Sequence, residues 1–205
     1  MLYQKIAGPF KRDMTTNKVI PGAWTSPELE ALADTPIWFA TEKIDGTNMR
    51  VMWDGYRVTV GGRTERSELH KQLVDTMTEM FPEEKFEQTF GEKPVTIFGE
   101  GYGAGIQNGG KYSTEKSFAM FDVAVNGKYL RSQDVLNLGY SWDIKHAPLL
   151  LDDATLHEVI SRVKNGLQSG YGSFNAEGMV AKTNLGLLDH RGDRIIVKVK
   201  DVDFR

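Results

Sequence analysis

The sequence predicts an α+β fold in which antiparallel sheets are flanked by helices. Two glycine-containing turns between β-prone runs indicate hairpins, and three segments with apolar residues near the 3.6-residue spacing indicate helices. No internal repeat, low-complexity tract or proline-rich linker divides the chain. With 205 residues, 40% of them hydrophobic, the chain can bury a substantial core. We therefore expect one compact domain over residues 1–205.

The two hairpins are the clearest local elements. Asp54-Gly55 suits a two-residue type I′ turn, and Asn126-Gly127 has the same turn chemistry because both residue types tolerate positive φ. The paired runs are residues 50–53 with 56–60 and residues 118–125 with 128–130. A further strand is predicted to end at Lys200.

Capping residues and apolar spacing predict three helices. The first begins at Ser26-Pro27 and runs through Ala33, and the second follows Ser67 to Met80. The third covers residues 154–167, where Asp152 or Asp153 is the expected cap. Their apolar stripes are predicted to be core contacts rather than binding surfaces.

The composition excludes several classes of protein. The absence of cysteine excludes a disulfide framework, a thiolate metal site and a cysteine nucleophile, and it fits a cytoplasmic protein. The first ten residues do not form a secretory signal, and no run of about 18 apolar residues could span a bilayer. A net charge of −3 argues against coating nucleic acid through bulk positive charge, although a local basic patch is compatible with it.

The glycine-rich segment from Gly99 to Gly110 does not match the familiar nucleotide fingerprints. A dinucleotide fingerprint cannot be placed on its glycines, and Tyr112 stands where a P-loop would have Ser or Thr. A flexible or binding loop is the favoured interpretation.

Four separated segments place Lys or Glu inside apolar, β-rich runs: residues 41–48, 98–101, 177–182 and 197–200. Burying such charges is costly unless they pair with each other or with a charged ligand. A lysine nucleophile with further cations beside it is the chemistry that this pattern indicates.

These motifs resemble the covalent nucleotidyltransferase superfamily of ATP-dependent DNA ligases, RNA ligases and mRNA capping enzymes. Lys43-Ile44-Asp45-Gly46 matches its nucleophile motif, and the later motifs follow in the family order. DNA ligases and capping enzymes usually have arginine where this chain has Asn48, which is similar to type 2 RNA ligases, including editing ligases and their phage relatives. Asp45 stands where those ligases often have histidine. The resemblance implies an ATP-grasp-like nucleotidyltransferase fold and a single adenylyltransferase domain.

The resemblance also implies the site residues. Lys43 is the implied nucleophile, and the other implied catalytic residues are Asn48, Lys198 and Lys200. Nucleotide-binding roles fall on Glu42, Lys43, Arg63, Glu100, Phe121, Glu177, Lys198 and Lys200. Arg66 is the alternative to Arg63, and Phe118 is the alternative to Phe121 as the aromatic that stacks on the nucleobase. Glu100 and Glu177 are also the expected ligands of Mg²⁺ or Mn²⁺.

The implied reaction has three steps. AMP from ATP is linked to Lys43, transferred to a 5′-phosphate end, and displaced by a 3′-hydroxyl to seal the strand, as in RNA repair. Because an ordinary lysine is almost wholly protonated at neutral pH, the cations of Lys198 and Lys200 are expected to favour its neutral form. The expected partner is nucleic acid with 5′-phosphate and 3′-hydroxyl ends, RNA in preference to DNA, and no membrane.

One departure from the family concerns the chain end. Glu177 and Gly178 match the fourth motif of the family, and Lys198 and Lys200 match the fifth. DNA ligases and capping enzymes add an OB-fold after the fifth motif and type 2 RNA ligases add a helical module, whereas only residues 201–205 follow Lys200. We expect a nucleotidyltransferase fold without a C-terminal OB-fold, whose missing contribution a partner subunit could replace. The rival functions are an ATP-dependent DNA ligase, more distantly a GTP-using capping enzyme, and, in another class, a non-catalytic nucleotide-binding or nucleic-acid-binding module.

Overall fold

The computed structural model describes all 205 residues and divides into two compact units. The five-stranded unit comprises residues 1–3 and 44–147, and the four-stranded unit comprises residues 4–43 and 148–205. Each unit has its own main sheet and its own apolar core. The predicted span of 1–205 thus contains two compact units, and their action as one adenylyltransferase domain stays a prediction.

The strands are β1 (Phe10–Arg12), β2 (Val19–Trp24), β3 (Trp38–Glu42), β4 (Thr47–Trp53), β5 (Val58–Gly62), β6 (Val95–Tyr102), β7 (Ser117–Val125), β8 (Lys128–Tyr129), β9 (Leu149–Ala154), β10 (Gly178–Thr183) and β11 (Ile196–Lys200). The helices are α1 (Pro27–Leu32), α2 (Lys71–Met80), α3 (Glu83–Phe90), α4 (Ser132–Trp142) and α5 (Leu156–Lys164), with short 3₁₀ turns at Gly109–Lys111 and Asp201–Phe204. None of these helices is long and apolar enough to cross a bilayer.

The four-stranded unit has the strand order β11-β10-β3-β9, with every neighbouring pair antiparallel. Helix α5 packs on one face of this sheet because its buried stripe meets the inward side chains of the strands. One apolar core contains Val159 and Val163 of α5 together with Ala40, Met179 and Val197 of the sheet. Strands β1 and β2 form a separate two-stranded sheet in the same unit.

The five-stranded unit has the order β5-β4-β6-β7-β8, again antiparallel throughout. Helices α2, α3 and α4 contribute Leu73, Phe86 and Trp142 to a core that includes Met49 and Ile97 of the sheet. Side chains alternate along a strand, so neighbours of these inward residues lie on the opposite face. Both units confirm the prediction of antiparallel sheets flanked by helices.

The second predicted hairpin is confirmed, whereas the first has a different turn. Asn126 and Gly127 both have positive φ and form a two-residue connection between β7 and β8. Around Asp54, the strands instead pair from Trp53 to Val58 across a longer loop. The Asp54 carboxylate accepts hydrogen bonds from the backbone N–H groups of residues 56 and 57, and this interaction favours the longer turn.

Helix α1 begins behind Ser26 as predicted, but two other helix starts were wrong. Ser67 lies outside α2 because its hydroxyl accepts a hydrogen bond from the Thr64 N–H in the preceding turn. Residues 149–154 form β9 beside β3, so neither Asp152 nor Asp153 caps α5. Thr155 caps it, in a capping box with Glu158. Helices α3 and α4 were not predicted from the sequence.

Candidate functional site

Lys43 extends the fully buried strand β3 by one residue at its carboxyl end. Its backbone N–H donates to the Gly178 carbonyl at 2.9 Å, so the β3–β10 pairing continues to this residue. The side chain is 22% exposed, and its Nζ lies 2.5 Å from Oε2 of Glu177. The lysine that sequence analysis chose as the nucleophile is therefore anchored by a sheet and accessible at its tip.

Glu177 lies between two ammonium groups. Its Oε1 is 2.6 Å from Nζ of Lys200, while its Oε2 binds Lys43. Burial raises the pKa of Glu177, but the charge of Lys43 and the hydrogen bonds from Lys200 and Lys43 outweigh burial, so the pKa is lowered overall. When all three groups are ionised, one carboxylate between two ammonium groups leaves a net charge of +1, which suits a phosphate ligand.

Lys198 and Lys200 occupy the same face of β11. The alternate residues Val197 and Val199 are buried in the core against α5, so the two lysines point to the opposite face of the sheet. Antiparallel register places Val180 opposite Lys198 and Gly178 opposite Lys200. The sheet register therefore places Lys198 and Lys200 beside β10, the strand that begins just after Glu177.

Gly178 is required by its backbone and by its surroundings. Its φ is 151°, and a Cβ at this position would lie 2.0 Å from the Val199 carbonyl oxygen. No side chain fits at that distance, so β10 and β11 can approach here only with glycine. The Glu-Gly pair of the fourth motif thus combines a carboxylate with the close strand contact that presents it.

Glu42 is placed differently from the other predicted nucleotide-binding residues. It is 2% exposed, and its carboxylate accepts hydrogen bonds from Ser169 Oγ at 2.6 Å and the Gly170 N–H at 2.8 Å. Neither Ser169 nor Gly170 was predicted from the sequence as a partner of Glu42. Glycine and serine in an ordinary loop carry no signal for such a contact. A direct nucleotide contact of Glu42 stays a prediction.

In the five-stranded unit, Asn48 and Glu100 lie directly opposite each other on β4 and β6. Both point away from the helical core, because Met49 next to Asn48 belongs to it and Gly101 next to Glu100 faces the core residues Leu73 and Met49. Oδ1 of Asn48 is buried and has no hydrogen-bond partner. A buried polar atom without a partner is costly, and a ligand donor or cation is the kind of group that would satisfy it.

The structure distinguishes Phe121 from its alternative, Phe118. Phe118 is completely buried and packs edge-on against Phe81 in the helical core. Phe121 is the extra residue of a β-bulge, since Phe98 pairs with Asp122 while the next residue on β6 pairs with Met120. Bulges redirect a side chain, and Phe121 is only partly buried. Phe121 is therefore the partly exposed aromatic of this pair, and its stacking on a nucleobase stays a prediction.

The Phe121 ring contacts the N-terminal residue Tyr3. Their ring centroids are 5.0 Å apart, and the Tyr3 hydroxyl donates to Asp122 Oδ2 at 2.5 Å. Tyr3 also contacts Phe98 with its ring centroid at 5.0 Å. The N-terminal residues thus cover the same face of the sheet that carries Asn48 and Glu100.

Arg63 and its alternative Arg66 are both exposed in the turn after β5. A third arginine, Arg50, was missed by the sequence analysis and is 1% exposed. It donates to the Gly62 carbonyl at 2.7 Å and to Glu65 Oε1 at 2.9 Å. An arginine inside the apolar strand β4 was the available signal, and its contacts secure the turn that carries Arg63.

The nucleophile motif continues into the five-stranded unit with Asp45 and Gly46. Asp45 accepts a hydrogen bond from Asn108 Nδ2 at 2.5 Å, and its own N–H donates to the Tyr112 hydroxyl at 3.2 Å. The glycine-rich loop that sequence analysis considered as a flexible or binding loop therefore contacts the residues just after Lys43. Gly46 has no room for a side chain, because a Cβ would lie 2.3 Å from the Gly101 carbonyl oxygen.

No three His, Asp or Glu side chains lie close enough together to bind a metal ion by themselves. The predicted metal ligands Glu100 and Glu177 belong to different units, and Glu177 already forms ion pairs with Lys43 and Lys200. The Asn48 Oδ1 beside Glu100 adds one oxygen without a partner. Carboxylate and amide oxygens such as those of Glu100 and Asn48 are the kind that Mg²⁺ or Mn²⁺ binds, and metal binding by Glu100 and Glu177 stays a prediction.

Comparison with known proteins gives a consistent family and fold. The model of the RNA ligase family matches residues 36–200. No match was found among curated proteins.

Among solved structures, three forms of Naegleria gruberi RNA ligase are similar to this chain. An apo point mutant is 19% identical with a TM-score of 0.69, covering 99% of this chain and 60% of that chain. A point mutant with ATP and Mn is 18% identical with a TM-score of 0.67, covering 98% and 60%. The ligase with PPi is 19% identical with a TM-score of 0.66, covering 97% and 61%. This chain thus spans about 60% of the length of the structures it matches.

Proposed function

The chain belongs to the RNA ligase family, and from this premise we propose that it is an ATP-dependent RNA ligase that forms a covalent lysyl-AMP intermediate. The observation that carries the proposal is the group of Lys43, Glu177 and Lys200, in which a partly exposed lysine lies beside a second cation on a rigid sheet. Two ammonium groups around one carboxylate provide an excess positive charge for the α-phosphate of ATP.

The first step joins Lys43 to AMP. The ammonium group of Lys43 must first lose a proton, and Glu177 is a poor acceptor because its pKa is lowered. The proton therefore leaves to water, after which the neutral Nζ attacks the α-phosphorus. An N–P bond forms as the P–O bond to pyrophosphate breaks, and the pyrophosphate carries the released electron pair.

Lys198 and Lys200 stabilise the charge that develops during this step. Both lie on the face of β11 opposite the core that contains α5, and Lys200 already forms a hydrogen bond with the carboxylate that binds Lys43. We assign them contacts to phosphate oxygens, where an ammonium ion acts as a compact charge. Glu177 keeps the two nearest lysines at a defined spacing before the nucleotide arrives.

Residues of the five-stranded unit receive the remaining roles. We assign nucleobase stacking to Phe121, whose bulged position leaves it partly exposed, and phosphate binding to Arg63 and Asn48. Glu100 would bind the ribose or, with Glu177, a Mg²⁺ or Mn²⁺ ion. The metal supplies neutralisation of phosphate charge when bound. The relatives' structures with ATP and Mn support this choice of nucleotide and metal class.

The proposed substrate is RNA with a 5′-phosphate and a 3′-hydroxyl end, with DNA as the alternative strand. The family of the chain supports RNA. A partner subunit and a cytoplasmic location stay predictions. Sealing by the isolated chain would make such a partner unnecessary.

The test is labelling with ATP that carries a radioactive α-phosphate, in the presence of Mg²⁺ or Mn²⁺, followed by a denaturing gel. Wild type should retain the label, and Lys43→Ala should lose it. Lys164→Ala is the matched control, because Lys164 is an exposed lysine in the last turn of α5.

A parallel lane with labelled GTP distinguishes a capping enzyme, and matched nicked RNA and DNA distinguish the strand. The absence of label from folded wild-type protein with either metal would contradict the proposal. It would favour a non-catalytic module.

A further inference from the structure

The carboxylate of Glu42 is built into a structural contact next to the nucleophile. Both of its oxygens accept hydrogen bonds, one from Ser169 Oγ and one from the Gly170 N–H. At 2% exposure the residue has lost nearly all contact with water, and a buried carboxylate is tolerated only with such partners. A carboxylate this deeply buried presents almost no surface to a nucleotide.

The segment that Glu42 binds is a closed hairpin loop. The Ser169 N–H donates to the Phe174 carbonyl at 2.8 Å, and Gln168 pairs with Asn175 in an antiparallel bridge. Below this bridge, the Ala176 N–H donates to the Leu167 carbonyl at 2.8 Å. The next residue in the chain is Glu177. The position of residues 168–175, which we term the 168–175 hairpin, therefore determines where Glu177 begins.

Glu42 and Lys43 contact this same segment from consecutive positions. The Glu42 side chain binds Ser169 and Gly170 near the start of the 168–175 hairpin, while the Lys43 ammonium binds Glu177 just after its end. The packing is tight, since a Cβ on Gly170 would lie 3.2 Å from Pro148 and 3.5 Å from Glu42 Oε2. Only Ala176 separates the 168–175 hairpin from Glu177, whose carboxylate pairs with Lys43.

We propose that Glu42 is a positioning residue, which acts through Ser169 and Gly170 to set Glu177 against Lys43 and Lys200. Glu42 supplies no group to the nucleotide in this arrangement. Its effect on adenylylation rests on the proposed function, whereas its effect on the 168–175 hairpin does not.

The test compares Glu42→Ala, Glu42→Gln and Ser169→Ala with the double variant Glu42→Ala/Ser169→Ala. Ser161→Ala is the matched control, because Ser161 is an exposed serine of α5 in the same unit. Two readouts are needed. Amide hydrogen exchange over residues 167–177 reports on the hairpin, and the rate of lysyl-AMP formation against ATP concentration separates kcat from KM.

Glu42→Ala should raise exchange over residues 167–177 roughly tenfold or more, because it removes two charge-assisted hydrogen bonds. It should lower the kcat of adenylylation by a similar factor, with KM for ATP changed less than about threefold. Ser169→Ala should change hydrogen exchange and kcat in the same direction, but less. The double variant should match Glu42→Ala in both readouts, because the two substitutions remove the same contact and their effects should not multiply. Glu42→Gln should recover most of both readouts, since its amide can donate to Ser169 Oγ while its oxygen accepts from Gly170.

The opposite pattern would overturn the inference. If Ser169→Ala behaves like Ser161→Ala in both readouts while Glu42 variants raise KM for ATP, Glu42 contacts the nucleotide directly. If Glu42→Ala fails to fold, Glu42→Gln and Ser169→Ala still decide between these results. Absence of label in wild type would contradict the proposed function, and hydrogen exchange would still decide whether Glu42 restrains the hairpin.

Discussion

Glu177 Oε1 lies 2.6 Å from Lys200 Nζ, and the other oxygen of the same carboxylate lies 2.5 Å from Lys43 Nζ. The first contact follows from the β10–β11 register, which places Lys200 opposite Gly178. The second follows from the backbone bond between Lys43 and Gly178. The carboxylate therefore keeps two like charges close together, which would otherwise repel each other.

Lys200→Met should lower the rate of lysyl-AMP formation roughly a hundredfold or more, because it removes a cation from the leaving pyrophosphate. Methionine keeps most of the side-chain length, so the β10–β11 pairing should survive. The measurement is single-turnover labelling at saturating ATP. Lys164→Met should behave like wild type, and an equal loss in both variants would show that the effect is not specific to Lys200.

Glu177→Gln should change how stability depends on pH. Because the folded pKa of Glu177 is lowered from its usual 4.5, its carboxylate stabilises the fold above pH 4.5 and this contribution is lost as pH falls through the lower folded value. Urea unfolding of both proteins from pH 7 to pH 3 measures the difference. The difference in free energy of unfolding between wild type and Glu177→Gln should be largest at pH 7 and should decrease toward pH 3. A difference that does not change with pH would contradict the ion-pair interpretation.

Asn48→Leu should separate stability from activity. The variant removes a buried oxygen that has no hydrogen-bond partner, so the free energy of unfolding should stay the same or rise by up to about 1 kcal/mol. Adenylylation should nevertheless fall about tenfold or more, because a polar ligand contact is lost. Denaturant melts and the labelling assay provide the two measurements. A clear loss of stability would mean that another group of the protein binds this oxygen in solution.

The two phenylalanines of β7 should respond differently to leucine. Phe118→Leu should lower the free energy of unfolding by about 1–2 kcal/mol, because Phe118 is fully buried against Phe81. Phe121→Leu should cost less stability but raise KM for ATP about tenfold through loss of stacking on the base. Phe121→Tyr, which keeps the ring, is the conservative control. Equal KM values for wild type and Phe121→Leu would leave the stacking role without support.

Gly46→Ala should destabilise the five-stranded unit by about 1–3 kcal/mol, because its methyl group would lie 2.3 Å from the Gly101 carbonyl oxygen. Gly110→Ala is the matched control, since its methyl group would meet Ala104 Cα at an ordinary 3.5 Å. The control should stay within about 0.5 kcal/mol of wild type in thermal or urea unfolding. Similar losses in both variants would show that the space around Gly46 is not the cause.

Local chemistry was enough to predict many elements from sequence. Asn126-Gly127 adopts the positive φ values of its predicted turn, and Ser26 caps α1, because both depend on residues that are neighbours in the chain. Where a side chain competes for the same backbone groups, the local pattern was misleading. Ser67 was expected to begin a helix, but its hydroxyl instead stabilises the turn at Thr64.

What the sequence determined by itself was the kind of chemistry: lysines and carboxylates at motif spacing, set in apolar strands that must pair or bind them. Only the tertiary structure decided which charges meet, because the register of strands far apart in the chain places Lys200 and Lys43 on one carboxylate. It also buried Glu42 against Ser169, a contact with no local signal. Hydrogen bonds between distant segments depend on the packing of the whole unit, and the periodicity of a single segment carries no information about them.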